Sequence, residues 1–387
     1  MRHRVYLSPG MFGFGRLGSY NYFAHVEREL TARFRAAGHE LVAHAIDDLP
    51  TASIRRRAHR LAEVVTQTSG DDQVHLLGHS TGGIDARLVA SPATRSIPAA
   101  ALAWLPRLRS VTTMNTPHFG TPLAAFFTTA NGQRALEALS ILTVTGLSLG
   151  AHPLAATSAV LGFLRGVDRV FPFKLRMLEL AIDSMVGLID DARHPSVREF
   201  LKAIEDDQGS MLQLSPEAMD LVAAGFGDRP GVAYQSTVSM APSSVARRWL
   251  PAVGHPWRAV SASVFVAIQR LTAIHNPRYP CAAMGPTAPW SGDAAEALIV
   301  QVFGGSPPLS ANDGVVPLRS QPWGRVVWAG LGDHLDVLGH YEDRRASRAV
   351  APELRHRDWL CSGSNFGDAE MTALMDAIAG GMLRAAA

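Results

Sequence analysis

The sequence is poor in cysteine and lysine and has almost no net charge. Its only cysteines are Cys281 and Cys361, too few for a disulfide framework, and we expect free thiols. Lys174 and Lys202 are the only lysines, which we interpret as a compositional bias toward arginine. The formal net charge is +2, from 36 basic and 34 acidic residues, and no basic run is dense enough to bind nucleic acid. The arginine run at residues 55–57 is predicted to be a solvated helix face.

The N-terminus lacks the long apolar stretch of a secretory signal. Its basic residues are followed at once by a short apolar segment that ends at Pro9 and Gly10. We therefore expect a cytoplasmic protein, or a secreted one from which a leader has been removed. The longest charge-free run, between Glu137 and Arg165, is diluted by Ser, Thr and Gly, so we interpret it as a cover over an active site rather than a transmembrane helix.

Hydrophobic residues make up 47% of the 387 residues, so the chain can bury a large core. Strand patterns alternate with amphipathic helix patterns over the first third, which is typical of a parallel sheet with helices on both faces. The strand patterns cover residues 5–7, 39–45, 74–77, 110–114, 232–240 and 325–329. Residues 122–228 have a mostly helical pattern, residues 241–310 look irregular, and a helix is predicted over 368–383. The sequence therefore predicts a core of residues 1–121 and 229–387, with 122–228 as a helical lid insertion.

Residues 78–82 read Gly-His-Ser-Thr-Gly and fit G-x-S-x-G, the nucleophile elbow of α/β-hydrolases. A strand leads into this motif and a helix follows it, so Ser80 is predicted at the apex of a tight turn. Gly78 and Gly82 lack the β-carbons that would collide with backbone there. The start of the helix would stabilise negative charge that develops beside Ser80. The motif predicts the α/β-hydrolase fold, a mostly parallel sheet flanked by helices, with Ser80 as nucleophile.

A serine nucleophile needs a general base, and the base needs an orienting carboxylate. In this fold the chain order is serine, acid, histidine. We assign Asp313, in a turn that is followed by an apolar step, as the acid. We assign His334, in the loop after strand 325–329, as the base.

Other residues compete for these two roles. Asp333 and Asp336 adjoin His334, but an aspartate next to a histidine in sequence rarely faces that residue's Nδ1. His340 is expected to cap the chain or face solvent, and His118 to shape the pocket wall. His79 is predicted to be a packing residue that points away from Ser80.

Acyl transfer also needs backbone donors for the tetrahedral oxyanion. One donor should be the amide of Thr81, directly after the nucleophile. The other should come from the glycine-rich loop after the first strand, where Met11 is our choice and Phe12 the next. A phosphate-binding loop is the weaker interpretation, because no Gly-Lys-Ser/Thr follows.

Together these motifs resemble the true lipases of bacteria within the α/β-hydrolase superfamily. The matching segments are residues 7–12, 77–83, 115–120, 312–317 and 334–337, which cover the core and not the insertion. The resemblance rests on an Asn-Asp-Gly-x-Val-Pro segment and a His-Leu-Asp segment, and it supports Asp313 and His334. The His-Gly of such lipases is replaced here by Pro9-Gly10. The resemblance also implies a structural calcium at Asp336, with Asp293 as a guess for the second aspartate, although no cofactor is required.

The insertion is rich in Leu, Ala, Val and Phe. An apolar cover over a serine site suits acyl chains, which bind by burial at roughly 0.8 kcal/mol per methylene. We therefore expect hydrophobic esters or lipids as substrates, and a transient contact with a lipid interface. Two alternatives stay open: an acyltransferase that uses the same acyl-enzyme, and a non-catalytic lipid-binding protein on the hydrolase fold.

Overall fold

The fold was analysed in a computed structural model of the 387-residue chain. The residues that the structure describes are 1–11, 16–17, 20–47, 51–149, 154–164, 172–187, 199, 202–204, 206–225, 227–242, 255–279, 281, 293–342 and 356–387. Phe12, the second candidate for the oxyanion loop, lies outside the described residues.

A six-stranded sheet in which every neighbouring pair is parallel forms the centre of the described structure. Its strands are β1 (Arg2–Ser8), β2 (Glu40–Ala45), β3 (Gln73–His79), β4 (Leu108–Met114), β5 (Ala233–Met240) and β6 (Arg325–Leu331). The strand order is β2-β1-β3-β4-β5-β6. The chain thus runs from β1 outward to β2 and then returns across β1 to β3. Such a reversal opens a crevice at the carboxyl ends of β1 and β3, where ligands of open α/β sheets bind.

Helices cover both faces of this sheet. The core helices are α1 (Ala24–Ala36), α2 (Ile54–Thr68), α3 (Thr81–Ala90) and the C-terminal helix Asp368–Ala386. Side chains of β1 alternate between the faces: Val5 and Leu7 join the cluster that contains α1 and the C-terminal helix, whereas Tyr6 joins the cluster that contains α2 and α3. The mostly parallel sheet with helices on both faces confirms the fold class predicted from the sequence.

The insertion is helical where the structure describes it. It contains α4 (Pro122–Phe127), α5 (Ala130–Leu149), α6 (Leu154–Leu164), α7 (Pro172–Val186), α8 (Gly209–Gln213) and α9 (Pro216–Gly225). Buried residues of α4 to α7 belong to the same apolar cluster as the α1 face of the sheet. The division into core and lid stays a prediction. No described helix is long and apolar enough to span a bilayer.

The prediction of irregular structure over residues 241–310 is wrong in two places. Helix α10 (Pro256–Thr272) and helix α11 (Asp293–Phe303) lie in this region. Pro256 stands in the first turn of α10, where the missing N–H of proline removes no helical hydrogen bond. The C-terminal helix is α12, and it extends the predicted 368–383 by one turn.

The prediction of a solvated arginine face at residues 55–57 is wrong for Arg57. Arg55 and Arg56 are exposed, but Arg57 is completely buried against Asp85 of α3. Arg57 lies on the side of α2 that also carries the buried Ile54, Ala58 and Leu61, so it faces α3 and not the solvent. A charge in this position needs a buried partner, which only the three-dimensional fold reveals.

Candidate active site

Ser80 lies at the junction of β3 and α3 in a backbone conformation that L-residues rarely adopt. Its dihedral angles are φ 54° and ψ −126°, and it is the N-terminal cap residue of α3. The Ser80 amide donates to the Met114 carbonyl at the end of β4, with an N···O distance of 2.8 Å. Strain of this kind persists only where the surrounding structure enforces it, and it clusters at functional sites. The chain therefore forms the tight strand-to-helix turn at Ser80 that the G-x-S-x-G motif predicts.

The two motif glycines are required by close backbone contacts. A β-carbon on Gly78 would lie 2.1 Å from the Gly82 carbonyl oxygen, and one on Gly82 would lie 2.0 Å from the Ser8 carbonyl oxygen. Neither contact can be relieved by a side-chain rotation, because both neighbours are backbone atoms. The elbow thus packs directly onto the end of β1.

The structure brings Asp313 and His334 together. The distance between His334 Nδ1 and Asp313 Oδ2 is 2.8 Å, and the His334 amide donates to the Asp313 carbonyl at 3.0 Å. Asp313 is fully buried and His334 is 4% exposed. The His334 ring centroid lies 4.6 Å from that of His79, the residue directly before Ser80. The two side chains predicted as acid and base therefore meet beside the elbow.

Four N–H groups surround the Asp313 carboxylate within 3.0 Å. Oδ1 accepts from the amides of Val315 and Val316 at 2.9 and 2.7 Å. Oδ2 accepts from Asn115 Nδ2 at 2.8 Å, besides the His334 imidazole. A carboxylate without a proton is an acceptor only, so this set of donors suits the ionised form.

Sequence reasoning missed Asn115. It follows β4 in a left-handed conformation with φ 48°, which asparagine tolerates better than most residues. Its side chain reaches both Asp313 and Ser239. The signal that was available is its place at a strand end, where side chains collect at the functional edge of a parallel sheet.

Asp333 and Asp336 are engaged elsewhere. Asp333 Oδ1 accepts from the amides of Leu335 and Asp336, and Asp336 Oδ2 accepts from the Asp333 amide and Ser364 Oγ. Both carboxylates therefore shape the loop that carries His334, while Asp313 accepts from its ring.

The other two histidines are buried within the fold. The expectation that His340 caps the chain or faces solvent is wrong, because it is 3% exposed and burial lowers its pKa to about 3. His118 is also buried, with Nδ1 2.9 Å from Arg87 Nη1 and Nε2 3.0 Å from Thr113 Oγ1.

The loop after β1 lies against Ser80. A β-carbon on Gly10 would lie 2.8 Å from Ser80 Cβ, so only glycine lets the chain pass this closely. Met11 follows directly and is buried, and Thr81 is the first residue of α3. The first amides of a helix have no intrahelical partner, so the Thr81 N–H is suited to donate a hydrogen bond to a negatively charged ligand atom. The roles of Met11 and Thr81 in an oxyanion hole stay predictions.

The side chain of Arg57 binds the main chain of this loop. Its Nη2 donates to the Pro9 carbonyl at 2.6 Å, and its Nε donates to Asp85 Oδ2 at 2.9 Å. Ser8 Oγ donates to the same carboxylate oxygen at 3.1 Å. A buried ion pair between α2 and α3 thus anchors the residues that precede Gly10.

The calcium implied by the sequence resemblance was tested against the residues near Asp336. Asp336 Oδ2 already accepts two hydrogen bonds, and no three His, Cys, Asp or Glu side chains in the described part of the chain converge on a point suited to a metal ion. The side chain of Asp293 lies outside the described residues. The described residues near Asp336 therefore do not fit a calcium ion.

The strand order, the strained serine between β3 and α3, and the Asp-His pair at the carboxyl edge have the arrangement of an α/β-hydrolase fold. The chain is similar to a triacylglycerol lipase of Pseudomonas fragi, with 29% identity over 166 residues. That match covers 41% of this chain and 52% of the relative, so it spans about half the relative's length. No protein-family model matches the chain.

Solved structures with a similar overall course of the chain come from bacteria. EstA from Clostridium botulinum has a TM-score of 0.45 and 18% identity, and the match covers 96% of this chain and 87% of that one. Lipase 1 from Pelosinus fermentans has a TM-score of 0.46 and 16% identity, with coverages of 94% and 97%. Staphylococcus hyicus lipase has a TM-score of 0.47 and 14% identity, with coverages of 99% and 95%. At scores below 0.5, these likenesses do not bear on function.

Proposed function

We propose that the chain is a serine carboxylic-ester hydrolase that acts on hydrophobic acyl esters through Ser80, His334 and Asp313. The observation that carries the proposal is the 2.8 Å contact between His334 Nδ1 and Asp313 Oδ2 beside the strained Ser80. The similarity to a triacylglycerol lipase supports the same reaction class.

The proposed mechanism follows from the direction of this hydrogen bond. His334 Nδ1 keeps its proton and donates a hydrogen bond to Asp313, so Nε2 of the neutral ring carries a lone pair and serves as the base. His334 takes the proton of the Ser80 hydroxyl as Oγ attacks the ester carbonyl, and it later returns that proton to the departing alcohol. A water molecule, activated by the same imidazole, then releases the acid from the acyl-enzyme.

Charge that develops on the carbonyl oxygen needs donors that are already oriented. The amides of Thr81 and Met11 are proposed for this role, since one starts α3 and the other follows Gly10 against Ser80. The anchoring of Pro9 by Arg57 would keep the second donor in place.

A hydrophobic acyl chain is proposed because apolar side chains flank the site. Met11 and Leu335, which neighbour the oxyanion loop and the base, belong to one buried cluster with Phe127 and Phe163 of the insertion. Burial of each acyl methylene in such surroundings would contribute roughly 0.8 kcal/mol. The lid role, a transient lipid-interface contact and the cytoplasmic location stay predictions.

The test is a chain-length profile with p-nitrophenyl esters, together with labelling by a fluorophosphonate probe. We expect release of free acid, a preference for acyl chains longer than acetyl, and labelling that is lost in Ser80→Ala. Residual activity of Ser80→Ala should fall by a factor of at least about 10⁴.

The same assay separates the alternatives. If added alcohol takes the acyl group in preference to water, the chain is an acyltransferase. If the wild-type chain is not labelled, the enzyme proposal is wrong and a binding protein remains.

A further inference from the structure

Two buried hydrogen bonds and one close contact join the three parts of the proposed site. Tyr22 Oη lies 2.8 Å from His79 Nδ1, and His79 Nε2 lies 2.9 Å from the His334 carbonyl oxygen. A β-carbon on Gly10 would lie 3.2 Å from Tyr22 Oη, so Gly10 packs against the same hydroxyl. Gly10 belongs to the oxyanion loop, His79 directly precedes Ser80, and His334 is the proposed base. The residues that make these contacts come from segments far apart in the sequence.

The chemistry of the groups fixes the direction of each hydrogen bond. The His334 carbonyl only accepts, so His79 Nε2 must carry a proton and donate it. In a neutral ring Nδ1 is then an acceptor, and the Tyr22 hydroxyl is its donor. Burial, with a smaller effect of His334, lowers the pKa of His79 well below 6.5, so the ring stays neutral. One tautomer of His79 therefore satisfies both partners at once.

His334 is held from two sides. Asp313 contacts it through the ring Nδ1 and through the main-chain amide, whereas His79 contacts its carbonyl oxygen. The rings of His79 and His334 lie 4.6 Å apart between centroids. Because His79 is bonded covalently to Ser80, its contact with His334 ties the base directly to the nucleophile. The sequence predicts that His79 is a packing residue, whereas the structure shows that both nitrogens of its ring make hydrogen bonds.

We propose that His79, oriented by Tyr22, is a positioning residue that fixes the separation between His334 and Ser80. The inference rests on the proposed function and goes beyond it, because His79 touches neither substrate nor reacting atoms and acts through the main chain of His334. Without the hydrogen bond from His79 to the His334 carbonyl, the loop that carries His334 can move away from Ser80. Small displacements of a catalytic group reduce the rate strongly while leaving substrate contacts intact.

Tyr22→Phe is the sharpest variant, because it deletes one hydroxyl and keeps the ring. We expect kcat for p-nitrophenyl butyrate to fall about tenfold, with KM changed by less than about twofold. Tyr6→Phe is the matched control. Tyr6 is also fully buried, and its hydroxyl lies 2.8 Å from Thr68 Oγ1, away from the site. In that control we expect both kcat and KM within about twofold of wild type.

Two further variants test the donor at position 79. His79→Gln retains an N–H donor that can reach the His334 carbonyl, and we expect it to keep most of kcat. His79→Leu has no donor, and we expect a loss of kcat of about 100-fold. Equal loss in Gln and Leu would show that the imidazole volume matters rather than the hydrogen bond, and would overturn the proposal.

An NMR measurement makes the test independent of activity. In protein with ¹⁵N-labelled histidine, we expect His79 as the Nε2–H tautomer in wild type and in Tyr6→Phe, with its Nδ1 resonance displaced in Tyr22→Phe. An Nδ1–H tautomer, or equal kcat in Tyr22→Phe and Tyr6→Phe, would overturn the positioning role alone. A wild-type chain with the expected tautomer but no ester hydrolysis would instead overturn the proposed function, and the catalytic part of this inference with it.

Discussion

At the scale of single residues, the ion pair between Arg57 and Asp85 combines a structural and a functional task. Both side chains are fully buried, and the distance from Arg57 Nη2 to Asp85 Oδ2 is 2.8 Å. Two charges withdrawn from water gain little net stability, but removing one of them leaves the other uncompensated. Arg57 also donates to the Pro9 carbonyl, so the loop proposed to form the oxyanion hole depends on the same ion pair.

We predict that Asp85→Ala lowers the free energy of unfolding by about 3 to 5 kcal/mol, since it leaves the Arg57 guanidinium buried without its partner. Urea unfolding followed by circular dichroism measures the change. The double variant Arg57→Met with Asp85→Leu removes both charges and should recover most of the loss. A change below about 1 kcal/mol in the single variant would contradict this account.

The residues of the proposed triad were predictable because each lies in a short local pattern. Ser80 lies in G-x-S-x-G, and Asp313 and His334 lie in loops after apolar steps. The roles of Asn115 and Tyr22 do not follow from a local pattern, because they depend on partners 198 and 57 residues away in the chain. Long-range hydrogen bonds cannot be inferred from spacing, so the supporting residues of a site need a structure.

At the scale of elements, the strands and the C-terminal helix lie close to their predicted positions. The apolar runs of β1, β3 and β4 are bounded by turn residues, and this local signal suffices to place a buried strand. Helix α10 was missed because residues 241–310 are rich in proline and tryptophan and look irregular in sequence. Its N-terminal Pro256 and a buried face that includes Val264 and Phe265 give it stability through packing against the fold.

The elbow is the element with the narrowest tolerance. We predict that Gly82→Ala either prevents folding or lowers the free energy of unfolding by more than about 4 kcal/mol, because the new β-carbon would lie 2.0 Å from the Ser8 carbonyl oxygen. Thermal unfolding and soluble yield are the measurements.

A matched glycine is available for comparison. Gly162 lies in α6, and a β-carbon there would meet nothing within 4 Å. Gly162→Ala should leave the stability unchanged or raise it by up to about 1 kcal/mol, since alanine favours a helix interior. Similar destabilisation in both variants would contradict the steric explanation for Gly82.

At the scale of the whole molecule, buried ionisable groups set the response to pH. Five buried histidines in the described part of the chain have lowered pKa values, first because of burial: His3, His75, His79, His118 and His340. Three aspartates have raised pKa values for the same first cause: Asp333, Asp336 and Asp358. The two sets act on stability in opposite directions.

A histidine with a lowered pKa contributes stability that is present above pH 6.5 and is lost as the pH falls through the folded value, about 3 for His75. An aspartate with a raised pKa contributes stability that is present below pH 3.8 and is lost as the pH rises through the folded value, about 6 for Asp333 and about 7 for Asp358. Near pH 5 the five histidines outnumber the three aspartates, so unfolding takes up about two net protons.

We therefore predict that the free energy of unfolding falls by about 2.7 kcal/mol per pH unit as the pH is lowered from about 6 to about 4. Urea unfolding at about pH 7, 6, 5 and 4 measures the slope. Greater stability at pH 5 than at pH 7 would show that the aspartates dominate and would contradict the prediction.

The order of the strands has a consequence for biosynthesis. Ser80 is synthesised before the whole insertion, β5, β6 and the loop that carries His334, and α12, which follows that loop, packs against β4, β5 and β6. A nascent chain therefore holds its serine long before it holds the imidazole. The proposed reaction can begin only after the His334 loop has been translated, so a partly synthesised protein leaves surrounding esters intact.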